Sequence, residues 1–203
     1  MKTRATVSRW TTLTAIGLLG GIGVALVLGG PIQFVVGMML VTPIVTGVVG
    51  AVLGGAQWLH LRHIMVKAGW WIVATILGMA LGLSGGVVVV EQVGRLLIGH
   101  RPDVVHLTIL QRAVSFAVLG AITGAIVSGF QWLVLRAQLP VVKGWVVTTT
   151  TALLVAFVVS SLFVDLAIGG FQSARGVVAF IGVAGLIFGG ITSQPLRRAA
   201  TVP

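Results

Sequence analysis

The chain has 203 residues, 57% of them hydrophobic and only 8% charged, with a formal net charge of +10 and no cysteine. So few charges cannot cover the surface of a soluble domain, where about a quarter of residues are charged. The missing cysteines exclude disulfides, thiolate metal sites and lipidation on Cys.

The N-terminal segment to Arg9 is basic and precedes an apolar stretch, as in a signal peptide, but no small-x-small cleavage pattern follows it. It is therefore expected to be a retained first span. Charge-poor stretches of about 20 residues are long enough to cross a bilayer core. They are read at 10–29, 40–61, 70–90, 113–135, 145–166 and 176–194. The connections are a short turn with Pro31, a basic loop with Arg62, His63 and Lys67, and a longer polar loop at 91–112. A second basic loop with Arg136 and Lys143 and a turn near Arg175 complete them. Val93–Leu110 alternates apolar and polar residues and is expected to lie on the outer membrane surface.

A phrase recurs at the end of each even span. It reads Gly50-Ala51-Val52-Leu53-Gly54-Gly55-Ala56-Gln57-Trp58-Leu59-His60-Leu61-Arg62, then Gly124 to Arg136 with Gln131 and Trp132, then Gly185 to Arg197. Each odd span opens on a tryptophan: Trp10, Trp71 and Trp145. Seven, eleven and fifteen residues later come Gly17, Gly21 and Ala25; Gly78, Gly82 and Gly86; and Ala152, Ala156 and Ser160. Spacing of four keeps small residues on one helix face. Such rows let helices approach closely in lipid. The chain is thus expected to be one membrane domain, all-α and integral. Its six transmembrane helices form three parallel two-helix repeats (1–62, 63–136 and 137–203) with a pseudo-threefold axis along the membrane normal.

Within the phrase, Gly50 and Gly54, Gly124 and Ser128, and Gly185 and Gly189 line one face. Gly55, Gly129 and Gly190 point about 140° away from the first of each pair, at about 100° per residue. Each even helix is therefore expected to meet neighbours on two sides. Gln57 and Gln131 fall close to the glycine rows and are read as interhelical clasps, with a polar ligand lining as the alternative. Trp10, Trp58, Trp71, Trp132 and Trp145, with Arg62, Arg136 and Arg197, are read as interfacial anchors. The third copy has Thr192 and Ser193 in place of Gln and Trp, and Pro195 interrupts it. That decay suggests that the Gln–Trp pair serves two sites.

With the N-terminus in the cytoplasm, the inner face carries Lys2, Arg4, Arg9, Arg62, Lys67, Arg136, Lys143, Arg197 and Arg198, against Arg95, Arg101, Arg112 and Arg175 outside. This bias places both termini inside. The expected location is a bacterial cytoplasmic (inner) membrane. The partners are the lipid bilayer, other membrane proteins and anionic headgroups near Arg62 or Arg136. The cations flank apolar spans without forming a stripe, so no nucleic acid is expected.

The motif G-x-x-Q-W-x-x-L-R, closing a Gly-rich span, resembles uncharacterised bacterial multi-spanning membrane proteins. The resemblance covers most of the chain through the repeats and implies the multi-pass fold without an activity. Three two-span repeats also occur in mitochondrial carriers, but the P-x-[DE]-x-x-[KR] signature is absent from all three odd spans.

The search for chemistry assigns no catalytic residue, metal ligand or cofactor. Gly82-Leu83-Ser84-Gly85 matches the G-x-S-G of rhomboid-like proteases, but no histidine lies inside a span. His100, Asp103 and His106 could hold a metal, yet Pro102-Asp103 reads more simply as a helix start. Thr148 to Thr151 is the most polar intramembrane run, with hydroxyls expected to bond their own backbone. No ionisable group is expected at mid-membrane, where transport usually keeps one. The expected function is therefore a non-enzymatic structural, assembly or scaffold role, with a small-solute or lipid-related transporter or channel as the alternative.

Overall fold

The computed structural model describes residues 2–36, 38–98, 107–138, 144–168, 170 and 173–199. These form six helices: α1 (Lys2–Val36), α2 (Met38–Leu61), α3 (Gly69–Ile98), α4 (Ile109–Arg136), α5 (Trp145–Phe163) and α6 (Ala174–Ala199). All six are long and apolar enough to cross a membrane. Only helices or closed barrels satisfy every backbone group without water, so apolar runs of this length fold as helices in lipid.

Several boundaries differ from the sequence reading. Helix α1 runs on to Val36, past the expected turn at Pro31. Helix α3 continues to Ile98, so the first part of the expected 91–112 loop is an extension of the helix. Within that extension Glu91 and Arg95 form an exposed i,i+4 ion pair at 3.9 Å. The start of α4 is set by Thr108: its hydroxyl accepts from Gln111 N–H at 3.3 Å, while Gln111 Oε1 accepts from Thr108 N–H at 3.0 Å. That reciprocal capping box satisfies two of the unpaired N–H groups at a helix start. His100, Arg101, Asp103 and His106 lie outside the described residues. Helix α5 opens after Gly144, whose φ of 84° suits a residue without Cβ. It ends in a π-helical turn, Val164–Ile168.

Each helix packs on its neighbours in sequence, and α6 packs on α1, so the principal contacts form a closed ring. Gly17 faces Leu53 while Gly21 faces Val49, so α1 and α2 run antiparallel. Gly50 and Gly54 press on Ile76 and Ile72 of α3, and Gly185 and Gly189 on Ala15 and Thr11 of α1. The closest approaches to an opposing Cα are Gly78 on Val127 and Gly124 on Thr150, where a Cβ would stand 2.7 Å away. Gly82 and Gly86 continue the α3 row against Thr123 and Leu119 of α4. Ser128 sits in the α4 row and lies 3.4 Å from Thr150 Oγ1.

The second expected face is a correction. A Cβ on Gly55, Gly129 or Gly190 would meet nothing within 4 Å. Each even helix is gripped along its glycine row, and the glycine turned about 140° away lies off the helix contacts. A ring explains this: a helix with two flanking neighbours keeps part of its circumference facing outward.

Candidate functional site

At one end the ring is filled by tryptophan. Trp10, Trp71 and Trp145 are each no more than 1% exposed, and they pack with Leu61, Met65, Ala68 and Leu135. Their rings meet edge to face, Trp10 with Trp71 at 6.3 Å and Trp71 with Trp145 at 5.6 Å between centroids. The expectation that these three anchor at the lipid surface is therefore corrected. Trp71 and Trp145 stand in the first turn of α3 and α5, and Trp10 about two turns inside α1; each indole turns into the ring, where its N–H finds an acceptor. A buried indole N–H without one would carry a desolvation cost.

The acceptors come from the even helices. Trp71 Nε1 donates to Gln57 Oε1 at 2.9 Å, and Trp145 Nε1 to Gln131 Oε1 at 3.3 Å. Trp10 Nε1 donates to Thr192 Oγ1 at 3.0 Å, across the α1–α6 contact. Each glutamine also reaches back to the preceding odd helix: Gln57 Nε2 donates to Thr14 Oγ1 at 3.3 Å and Gln131 Nε2 to Thr75 Oγ1 at 3.2 Å. One amide thus ties three helices. Thr192 is too short to do the same. Its hydroxyl donates to Phe188 O at 2.7 Å, and Thr149 Oγ1, four residues after Trp145, is buried with no partner.

Trp58 and Trp132 behave differently from the three buried indoles. The Arg62 guanidinium lies 5.2 Å from the Trp58 ring centroid and that of Arg136 lies 4.8 Å from Trp132. Cation–π stacking of this kind holds the charge over the face of the ring. Of Arg197 only the backbone, within α6, is described.

Beyond the tryptophan layer the ring surrounds a partly open cavity of about 340 Å³. All six helices line it, mostly with apolar side chains such as Leu18, Val49, Met79, Val127, Leu153 and Phe188, and Thr46 and Thr123 are its polar members. Its floor is set by Leu53, Val127 and Phe188, each four residues before Gln57, Gln131 or Thr192. One wall is aromatic: Phe116, Phe157 and Phe180 stand with centroids 5.0 to 6.4 Å apart.

A buried ion pair lies near that wall, one turn before Phe116. Arg112, in the first turns of α4, donates from Nη1 to Asp165 Oδ1 in the π-helical turn, and from Nη2 to Leu107 O at 3.1 Å. Their side chains are 11% and 5% exposed. Asp165 offsets a cation placed near a helix N-terminus, where the helix dipole disfavours it.

Other residues singled out in the sequence are scattered. Ser84 Oγ is buried without a hydrogen-bond partner, so no base touches it. Within the 148–151 run, Thr150 faces Ser128, whereas Thr149 is unpartnered. Among the described residues no cluster of three or more His, Asp or Glu is placed to hold a metal ion. The cavity itself escaped the sequence, because its lining reads as ordinary span residues. The tryptophan layer left a trace: a threonine stands four residues after each of Trp10, Trp71 and Trp145.

Compared with protein-family models, with curated proteins and with solved structures, the chain matches none.

Proposed function

We propose that the protein is a non-enzymatic membrane carrier that holds one apolar, lipid-like molecule inside its helix ring. The cavity carries this reading. An apolar cavity of about 150 Å³ stays dry and accepts benzene, and small-molecule sites begin at about 300 Å³. The central cavity, at about 340 Å³, falls in that range and has a lining suited to hydrocarbon. The tryptophan layer blocks it at one end, which suits storage or alternating exposure better than a continuous pore.

The carrier is built as three two-helix units in the same orientation around a pseudo-threefold axis. The bonds from Trp71 to Gln57, Trp145 to Gln131 and Trp10 to Thr192 support this, since they join equivalent positions of successive units. The charge bias supports a bacterial inner membrane with both termini in the cytoplasm, and the tryptophan layer then lies on the cytoplasmic side.

A structural or assembly role is the second reading. Val66, fully exposed, and Trp70, 61% exposed, support it as an apolar patch beside the α2–α3 loop that could meet another membrane protein.

The test is native mass spectrometry of protein extracted directly into lipid nanodiscs, comparing wild type with Ala184→Phe. Ala184 lines the cavity, so a larger side chain there takes up ligand space. The carrier reading expects a retained apolar adduct in wild type and its loss in A184F, with tryptophan emission unchanged as a check on folding. Identical adducts in both would sink it.

A further inference from the structure

We infer that the seam between α5 and α6 is a lateral portal through which an apolar molecule passes between the bilayer and the central cavity. The inference rests on the carrier reading and on three observations about one seam.

The first concerns backbone approach. Five ring contacts are closed by glycines set against a neighbouring helix: Gly17 and Gly21, Gly50 and Gly54, Gly78 and Gly82, Gly120 and Gly124, and Gly185 and Gly189. Helix α5 has no glycine, and its small row is Ala152, Ala156 and Ser160. On α6, Gly185 and Gly189 turn to α1, while Gly182 and Gly190 meet nothing within 4 Å.

The second concerns hydrogen bonding. Gln57 bonds across α1–α2 and Gln131 across α3–α4. The equivalent bond across α5–α6 is missing, because Thr192 turns to its own backbone and Thr149 has no partner. The third is extent: the contact between helices α5 and α6 is the least extensive of the six helix pairs in the ring.

Side chains close the seam: the buried Ala152 and Ala156 of α5 share one cluster with Ala184 and Phe188 of α6. Phe157 of α5 and Phe180 of α6 meet at 5.6 Å between centroids and both line the cavity. Packed rings can change rotamer without breaking a hydrogen bond, whereas the glycine contacts can open only by moving backbones. The ligand this admits is a slender apolar molecule already dissolved in the bilayer, since the lining carries no charged side chain and only the hydroxyls of Thr46 and Thr123.

The experiment locks the seam. The chain has no cysteine, so Ala156→Cys with Ala184→Cys introduces a unique pair within one buried cluster. In a background with Trp58, Trp70 and Trp132 changed to Phe, the buried Trp10, Trp71 and Trp145 report from below the cavity floor. The probe is 1-bromododecane, whose bromine quenches indole emission, and the readout is the stopped-flow quenching rate in vesicles. The oxidised pair is expected to slow quenching at least tenfold, with full recovery on reduction. Equal rates in the two forms with unchanged final quenching would overturn the portal while leaving the carrier reading intact. No saturable quenching in either form would overturn both. Thr192→Gln, which keeps the native alanines and supplies the missing amide, is expected to slow quenching several-fold; an unchanged rate there also counts against the portal.

Discussion

Gln57 accepts the indole N–H of Trp71 at 2.9 Å and donates its own amide to Thr14 at 3.3 Å. One fully buried side chain therefore ties α2 to both α1 and α3. Replacing it with Leu keeps the volume roughly but strands the Trp71 donor. An unsatisfied buried donor costs about 1–3 kcal/mol, and interhelical hydrogen bonds in membranes average about 0.6 kcal/mol. Gln57→Leu is expected to lose about 1–2 kcal/mol on those two scales, and Gln131→Leu a similar amount. Reversible unfolding in mixed micelles measures both. Wild-type stability in each variant would remove the clasps from the account of the fold.

The glycines divide into two groups, and alanine separates them. A Cβ at Gly78 would lie 2.7 Å from Val127 Cα, and backbone cannot yield as a side-chain tip can. Overpacking of this kind costs typically about 1–3 kcal/mol, so Gly78→Ala and Gly124→Ala are expected to destabilise by at least that. Gly55→Ala and Gly129→Ala meet open space. There the better helix propensity of Ala, up to about 1 kcal/mol, leaves them neutral or stabilising. Thermal unfolding of the four variants checks the contrast, and equal losses in both groups would contradict the ring packing.

Removing one partner of the buried Arg112–Asp165 pair isolates the other charge. Breaking a buried pair costs about 3–5 kcal/mol, whereas replacing both members with apolar residues is often neutral. Arg112→Leu and Asp165→Leu are each expected to be strongly destabilising, and the double variant to recover most of the loss. Additive losses in the double-mutant cycle would show that the two side chains act separately.

The spans were legible because charge-free length is a property of composition, and the packing rows because spacing of four survives on any helix. The role of Trp10, Trp71 and Trp145 was not legible. A tryptophan at a span boundary suits a lipid interface, and only ring closure turns it inward. The same closure decides Gly55, Gly129 and Gly190, since a helix with two flanking neighbours has one row fewer to fill than a helix surrounded by protein. Arg112 and Asp165 are 53 positions apart in sequence, so no local pattern joins them. The loss of glutamine at position 192 was visible in the sequence, but its consequence needed the unpartnered Thr149.

That unpartnered hydroxyl gives the last prediction. In two places a glutamine bridges a threonine and a tryptophan on the flanking odd helices; at position 192 a threonine reaches only Trp10. Thr192→Gln offers Oε1 to Trp10 and Nε2 to Thr149. An added interhelical bond is worth about 0.6–2 kcal/mol, and crowding at a fully buried position subtracts from it. A double-mutant cycle with Thr149→Val separates the two effects, because valine keeps the shape and removes the acceptor. The expected coupling between positions 192 and 149 is about 1 kcal/mol in favour of the Gln–Thr pair. Additive free energies in that cycle would mean that the glutamine does not span the α5–α6 seam.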